Sequence, residues 1–217
     1  MGPTAHVRGA NGLAAGADGI WVTSRLARTV TRIDPRTHRP GRPIRVGAGP
    51  ADVAAGAGSV WVANADGGSV TRVDARTGRA DAAIPIGGQH VLGLAVGEGG
   101  VWVARATGAD ADHIQIVRVD PRDRNVVGDP IAVTGAVPLD IAAAGGSVWV
   151  TDVGGLRTSG RQGIGHVTRL DPRRHEIVRP LLRAGQHPSA VAVGAGVAWI
   201  ADGDDGTLTP IVVRPTR

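Results

Sequence analysis

Apolar positions along the chain come in short runs that recur about every forty residues. Each repeat places a tryptophan between two apolar residues, and the steps between successive tryptophans are 40, 41, 47 and 50 residues. Five residues before each tryptophan stands Gly or Ala, which follows another short apolar run, and the stretch in between is typical of a tight hairpin turn. The five tryptophans are Trp21, Trp61, Trp102, Trp149 and Trp199.

A second landmark follows each of the first four tryptophan strands, as an apolar run that ends in Asp. Asp followed by Pro or Ala and then Arg is a turn signal, and about ten residues later a fourth short apolar strand follows. Four short strands in forty residues, without a 3.6-residue period, predict one antiparallel sheet per repeat, as in a propeller blade. The second landmarks lie at 30–35, 70–75, 116–121 and 167–172.

The repeat count predicts an all-β fold, a five-bladed β-propeller of four-stranded antiparallel blades, as a single domain over 1–217. The last unit has no fourth strand of its own, and it carries Pro210 and Val212 where the other units carry Arg and Asp. We expect residues 5–9 to complete that blade beside 208–213, because closure would remove an open sheet edge. The predicted units are 10–47, 48–87, 88–134, 135–184, and 185–217 together with 5–9.

Composition narrows the function classes. The chain has no Cys, so disulfides and thiolate zinc sites are excluded. The formal charge is +5, and all 24 basic residues are Arg. These are spread along the sequence, while the tryptophans lie inside apolar strands, so we do not expect nucleic acid as a partner. No apolar run approaches the roughly 20 residues of a membrane span, and residues 1–8 have no apolar core, so we expect no signal peptide in this sequence.

The pattern P-x-x-apolar-A-x-G-x-G-x-V-W-V over 50–62, followed by V-T-R-V-D over 70–74, resembles the YVTN/NHL-type propellers. It is most similar to the streptogramin-lyase-like (virginiamycin B lyase-like) repeats. The resemblance implies a propeller used for binding, sensing or scaffolding, and in some members a magnesium-dependent lyase with His and Glu ligands. It also allows a secreted or extracytoplasmic location. The only glutamates here are Glu98, in a predicted hairpin turn, and Glu176, in a predicted outer loop.

Insertions mark one face of the predicted propeller. The gap from each tryptophan to the Arg of the next landmark is 11 residues in the first two units, 16 in the third and 20 in the fourth. The extra residues are 107–113 and 154–165. Insertions on one face are typical of a binding surface, although surface loops also lengthen without a function. The predicted binding residues on this face are His90, Asp112, His113, Arg157, Arg161 and His187.

The same face carries candidate catalytic and metal-ligating residues. His90 and His187, with Asp52 and Asp140, could bind a metal or act as acid and base at the mouth of a central channel. They could equally be the polar lining of a wet channel. Alternating carboxylates can hold a calcium ion, although Asp-Gly clusters also form ordinary turns. The calcium candidates are Asp110, Asp112, Asp202 and Asp204.

These observations predict a non-catalytic propeller, a binding, scaffold or sensor module that presents its inserted face to a protein or small-molecule ligand. The alternative is a metal-dependent lyase or hydrolase with its site at the channel mouth. No cofactor is expected, apart from a divalent cation in the alternative. We expect a monomer.

Overall fold

The computed structural model of the chain describes residues 4–16, 18–88, 90–107, 113–133, 138–152, 165–183 and 185–213. These residues form strands and turns, as the prediction of an all-β fold requires. The described segments contain no helix that is long and apolar enough to cross a membrane.

Five antiparallel sheets follow one another along the described chain, and within each sheet the strands pair in sequence order. Blade 1 consists of β1 (Ala10–Gly16), β2 (Gly19–Ser24), β3 (Thr29–Ile33) and β4 (Ile44–Arg45). Blade 2 consists of β5 (Pro50–Gly56), β6 (Ser59–Asn64), β7 (Ser69–Asp74) and β8 (Ile84–Pro85). Blade 3 consists of β9 (His90–Gly97), β10 (Gly100–Thr107), β11 (His113–Val119) and β12 (Val126–Val133). Blade 4 consists of β13 (Pro138–Ala144), β14 (Ser147–Asp152), β15 (His166–Asp171) and β16 (Glu176–Leu182). Blade 5 consists of β17 (Pro188–Gly194), β18 (Val197–Asp202) and β19 (Thr207–Val212).

The first strand of each blade is its inner strand, and the inner strands pack against one another in succession. Strand β1 contacts β5, β5 contacts β9, β9 contacts β13, and β13 contacts β17. Each sheet therefore packs face to face with its neighbour, which is how propeller blades bury their apolar faces.

The tryptophans of the first four blades fill the spaces between blades. They are at most 1% exposed, and each packs against the blade that follows it. Trp149, for example, lies in a cluster with Val191 and Ile200 of blade 5, and the Arg169 guanidinium stacks 5.5 Å from its ring centre. The prediction that tryptophan is the inter-blade filler is thus confirmed for four of the five. Trp199 is 45% exposed.

The turns after the third strands have the geometry that the Asp signal predicts. In blade 1, Asp34 Oδ1 accepts the N–H groups of Arg36 (2.7 Å) and Thr37 (3.1 Å). The N–H bonds from Thr37 and then Arg36 lower the pKa of the Asp34 carboxyl. The fourth residue after the Asp closes the turn with a positive φ. These residues are His38 (57°), Gly78 (70°), Arg124 (60°) and His175 (58°).

The predicted closing strand is not formed. The sheet of blade 5 has three described strands, and residues 5–9 lie outside the sheets. They lie against blade 1, where Ser24 Oγ donates to the Arg8 carbonyl at 2.7 Å. His6, Val7 and Arg8 border a cavity of about 260 Å³ whose other lining residues belong to blade 1. Local hydrogen bonding of this segment with blade 1 replaces the expected pairing with β19.

Candidate functional site

A cavity of about 290 Å³ lies at the centre of the blades, at the end where the inner strands begin. It receives side chains or backbone from the first four blades. Its lining residues are Asn11, Gly12, Leu13, Ala51, Asp52, Leu92, Gly93, Ala104, Asp140 and Ile141.

A β-bulge near the start of the inner strand positions each of the two carboxylates. In blade 2 the register shifts between Pro50 and Asp52, and in blade 4 it shifts between Pro138 and Asp140. A bulge inserts one unpaired residue and changes the direction of the side chains beside it. Proline is tolerated at this position because it is the first residue of its strand. The sequence Pro-x-Asp therefore builds the same local structure in both blades.

The two carboxylates make matching sets of hydrogen bonds. Asp52 Oδ1 accepts the N–H of Val53 at 2.8 Å, and its Oδ2 accepts the N–H of Leu94 in blade 3 at 2.9 Å. Asp140 repeats the arrangement between blades 4 and 5. Its Oδ1 accepts the N–H of Ile141 at 2.8 Å, and its Oδ2 accepts that of Val191 at 2.9 Å. Each carboxylate thus ties its own blade to the next while it lines the cavity.

Burial raises the pKa of both carboxyl groups. For Asp52 the loss of hydration outweighs the N–H bonds from Leu94 and Val53, and the negative charge of Asp140 raises the pKa further. For Asp140 burial outweighs the N–H bonds from Val191 and Ile141. The ionised carboxylates repel each other and are incompletely solvated, so a positive charge in the cavity would stabilise both.

Asn11 is a cavity residue that the sequence pattern did not single out. Its Nδ2 donates to the carbonyls of Pro50 (2.9 Å) and Ala51 (3.0 Å), and its Oδ1 accepts the N–H of Arg25 at 3.1 Å. Asn11 precedes Gly12 as Ala51 precedes Asp52, so the repeat gives Asn11 no polar counterpart in blade 2 that could have drawn attention to it. It joins blade 1 to the bulged start of β5.

Of the four residues predicted for the channel mouth, the structure brings Asp52 and Asp140 to one cavity. The two histidines are not among the residues that line it. His90 is the exposed first residue of β9, opposite Ala106. His187 is partly buried just before β17, and its Nδ1 lies 3.4 Å from Asp204 Oδ1. His113 is exposed at the start of β11, opposite Thr107.

The acidic cluster after β18 forms a turn. Asp202 Oδ1 accepts the N–H groups of Asp204 (3.1 Å) and Asp205 (2.8 Å), and its Oδ2 accepts that of His187 at 2.6 Å. Burial opposes ionisation of Asp202, but the N–H bonds from Asp205, His187 and Asp204 outweigh it and lower its pKa. Both oxygens are thus engaged by backbone donors.

The remaining predicted residues, Asp110, Asp112, Arg157 and Arg161, lie outside the described residues. Among the described residues, no group of three or more His, Asp or Glu side chains is placed to hold a metal ion. The geometry present is therefore a cavity with two hydrogen-bonded carboxylates and one amide at its edge.

Solved structures with the same fold were found by structural comparison. A chain of a nidogen/laminin complex superposes with a TM-score of 0.70 at 13% identity, over 94% of this chain and 76% of that chain. Hydrazine synthase of Kuenenia stuttgartiensis superposes with a TM-score of 0.63 at 12% identity, over 94% and 84% of the two chains. The Pan2 WD40 domain of Neurospora crassa superposes with a TM-score of 0.63 at 13% identity, over 94% and 65%.

These similarities define the fold of the protein as a β-propeller. No protein-family model matches the chain, and no curated protein sequence matches it.

Proposed function

We propose that the protein is a non-catalytic binding propeller that accepts a positively charged group of a ligand or protein partner in its central cavity. The observation that carries the proposal is the convergence of Asp52 and Asp140 on one cavity, with burial raising the pKa of both. The proposal retains the relationship to YVTN/NHL-type propellers that the repeat sequence implies.

The chemistry of the cavity favours a cation. No Arg or His is among its described lining residues, so neither carboxylate has a charged partner there. Each carboxylate oxygen accepts one backbone N–H and keeps a second lone pair for a ligand. Hydrogen bonds from a guanidinium or ammonium group to a carboxylate are about twice as strong as neutral ones. A volume of about 290 Å³ suits one side chain or a small amine.

The surroundings of the cavity favour a partner that reaches it across the inserted face. Insertion 107–113 joins β10 to β11, and insertion 154–165 follows the end of β14. His90 pairs with Ala106 near the end of β10, so the insertions and the starts of the inner strands share one end of the blades. His90, His113 and His187 lie at this end, beside the route by which a partner would insert a basic side chain.

The test is a titration of ¹⁵N-labelled protein with acetyl-Gly-Arg-Gly-amide, followed by NMR. The readout is the amide signals of Leu94 and Val191, because these N–H groups donate directly to Asp52 and Asp140. We expect saturable shifts of both signals. The same peptide with citrulline in place of Arg removes the charge but keeps the shape, and it should leave the signals unchanged.

Variants distinguish binding of the peptide in the cavity from a general electrostatic attraction of the peptide to acidic residues. Asp52→Asn combined with Asp140→Asn should abolish the response. Asp34→Asn changes an exposed carboxylate that also accepts two N–H groups, and it should leave the response intact. Equal responses to the Arg and citrulline peptides, or shifts confined to amides remote from the cavity, would contradict the proposal.

A further inference from the structure

The face of blade 5 that points away from blade 4 is an exposed, uncharged apolar surface. Cross-strand pairing sets three rows of residues on it, one of them formed by Ala192, Trp199 and Pro210. The opposite face, with Val191 and Ile200, is buried with Trp149 against blade 4. Leu208 and Val212 are 67% and 69% exposed. The full set is Ala190, Ala192, Gly194, Val197, Trp199, Ala201, Leu208, Pro210 and Val212.

The sequence of this face differs from that of its counterparts. In blades 1 to 4 the tryptophan pairs across the sheet with an Arg, as Trp149 does with Arg169. In blade 5 Trp199 pairs with Pro210, so the charged residue is absent. A solvent-facing sheet normally carries polar residues on its free side. A contiguous apolar face of this kind marks an interaction site.

The free side of blade 1 is partly covered by the N-terminal segment, unlike the free face of blade 5. Residues 6–8 lie beside it, with Arg8 bonded to Ser24, and Thr31 and Ser24 there are buried polar residues. Leu13 and Ala15 are exposed on this side, and Val22 is buried there. A head-to-tail contact of blade 5 with blade 1 of another copy would therefore meet a surface that residues 6–8 already partly cover.

We propose that the free face of blade 5 docks the same face of a second copy of this chain, as a twofold-symmetric dimer. Two uncharged sheet faces can pack about 10 Å apart with interdigitating side chains, and self-pairing of this face opposes no charges although the chain carries +5. Twofold dimers are the commonest oligomers, and such an interface pairs a patch with itself. This inference departs from the sequence-based expectation of a monomer and is independent of the proposed cavity ligand.

The size of the face sets the strength expected of the dimer. Three strands of six residues cover about 14 by 20 Å, roughly 300 Å² of sheet per copy. Two such faces together cover roughly 600 Å², whereas stable dimers bury about 1,200 Å² or more summed over both partners. The dimer is therefore weak and dependent on concentration, with dissociation in the micromolar range or above.

Sedimentation velocity over 2–400 µM protein tests the proposal. We expect the wild type to shift from monomer toward dimer across this range. Leu208→Glu and Val212→Glu place a charge on the face and should keep the protein monomeric at every concentration. Leu26→Glu alters a residue that is 84% exposed in a loop of blade 1, and it serves as the matched control that should still dimerise. Leu13→Glu should also dimerise, because Leu13 lies on the free side of blade 1 and at the central cavity and is not on the free face of blade 5.

Crosslinking provides a readout that does not depend on a variant losing association. The chain has no cysteine, so a single substitution creates one reactive site per copy. Pro210→Cys on the face should give a covalent dimer with a short bismaleimide, whereas Leu26→Cys should not. Far-UV circular dichroism and melting curves check that each variant is folded.

Three results would overturn the proposal. The first is a wild type that is monomeric at 400 µM, which would assign the face to a different protein. The second is loss of association in Leu13→Glu, which would indicate a head-to-tail contact. The third is a dimer that persists in both glutamate variants of blade 5.

Discussion

Asp140 Oδ2 and the backbone nitrogen of Val191 lie 2.9 Å apart, so a side chain of blade 4 satisfies a backbone donor of blade 5. Asp52 and Leu94 repeat this relationship between blades 2 and 3, also at 2.9 Å. The two carboxylates of the central cavity therefore have a structural role in addition to the binding role proposed for them. Measurements on Asp140 should detect both.

Asp140→Ala should lower the stability of the fold. The change leaves the N–H of Val191, a residue that is 7% exposed, without its acceptor. An unsatisfied buried donor costs about 1–3 kcal/mol. In a chain of this size each kcal/mol shifts the melting temperature by roughly 2–4 °C. Calorimetry should show this decrease, while Asp123→Ala, at an exposed turn position, should change the melting temperature little. Equal melting temperatures for the two variants would mean that the Val191 N–H finds another acceptor.

The pH dependence of stability should have opposite signs at Asp140 and Asp171. Burial raises the pKa of Asp140, so the folded state binds its proton more tightly than the unfolded state does. Wild type should therefore gain stability relative to Asp140→Asn as the pH falls from 7 toward the ordinary value of 3.8.

At Asp171 burial favours the protonated form, but the N–H bonds from Arg174 and Arg173 outweigh it and lower the pKa. Wild type should be more stable than Asp171→Asn above about pH 4, and it should lose that advantage as the pH falls below it. Urea denaturation of the three proteins between pH 7 and pH 3 measures both trends. Parallel curves for the two variants would contradict the assigned protonation behaviour.

Replacement of tryptophan by alanine should be far more costly in blade 4 than in blade 5. Trp149 is fully buried between blades, and removal of such a side chain costs about 3–5 kcal/mol. Trp199 is 45% exposed on the free face, so Trp199→Ala should cost less than about half as much at low protein concentration. Urea midpoints at 1 µM protein give the comparison. Equal losses would indicate that the free face of blade 5 is covered within the monomer.

The left-handed turn residues provide a pair of changes with opposite effects. His38 adopts φ 57° and Gly78 adopts φ 70° at equivalent positions of blades 1 and 2. A left-handed conformation costs a residue with a side chain about 1–2 kcal/mol. His38→Gly should therefore stabilise by up to about 1 kcal/mol, and Gly78→Ala should destabilise by a similar amount. The measurement is the urea midpoint of each variant, and a loss of stability in His38→Gly would show that the His38 side chain makes a contact of its own.

Much of the fold could be predicted from the sequence because it depends on contacts between residues close along the chain. The forty-residue period, the hairpins before each tryptophan and the Asp turn at Asp34 all follow from local patterns. Asp52 and Asp140 were also predicted to lie near a channel, because Pro-x-Asp begins the inner strand in both units. Asn11 was missed because its contacts are to carbonyls of the next blade, 39 and 40 residues away.

The ends of the blade series depend on tertiary structure. The short segment at 5–9 resembles a fourth strand, but the pattern of one segment does not specify which sheet edge it pairs with. Hydrogen bonding with Ser24 holds it beside blade 1. The sequence by itself determined the blade, because a blade is stabilised by pairing between consecutive strands. Only the tertiary structure decided which faces are covered, because burial of Trp149 and exposure of Trp199 depend on whether another blade packs against the same side chain.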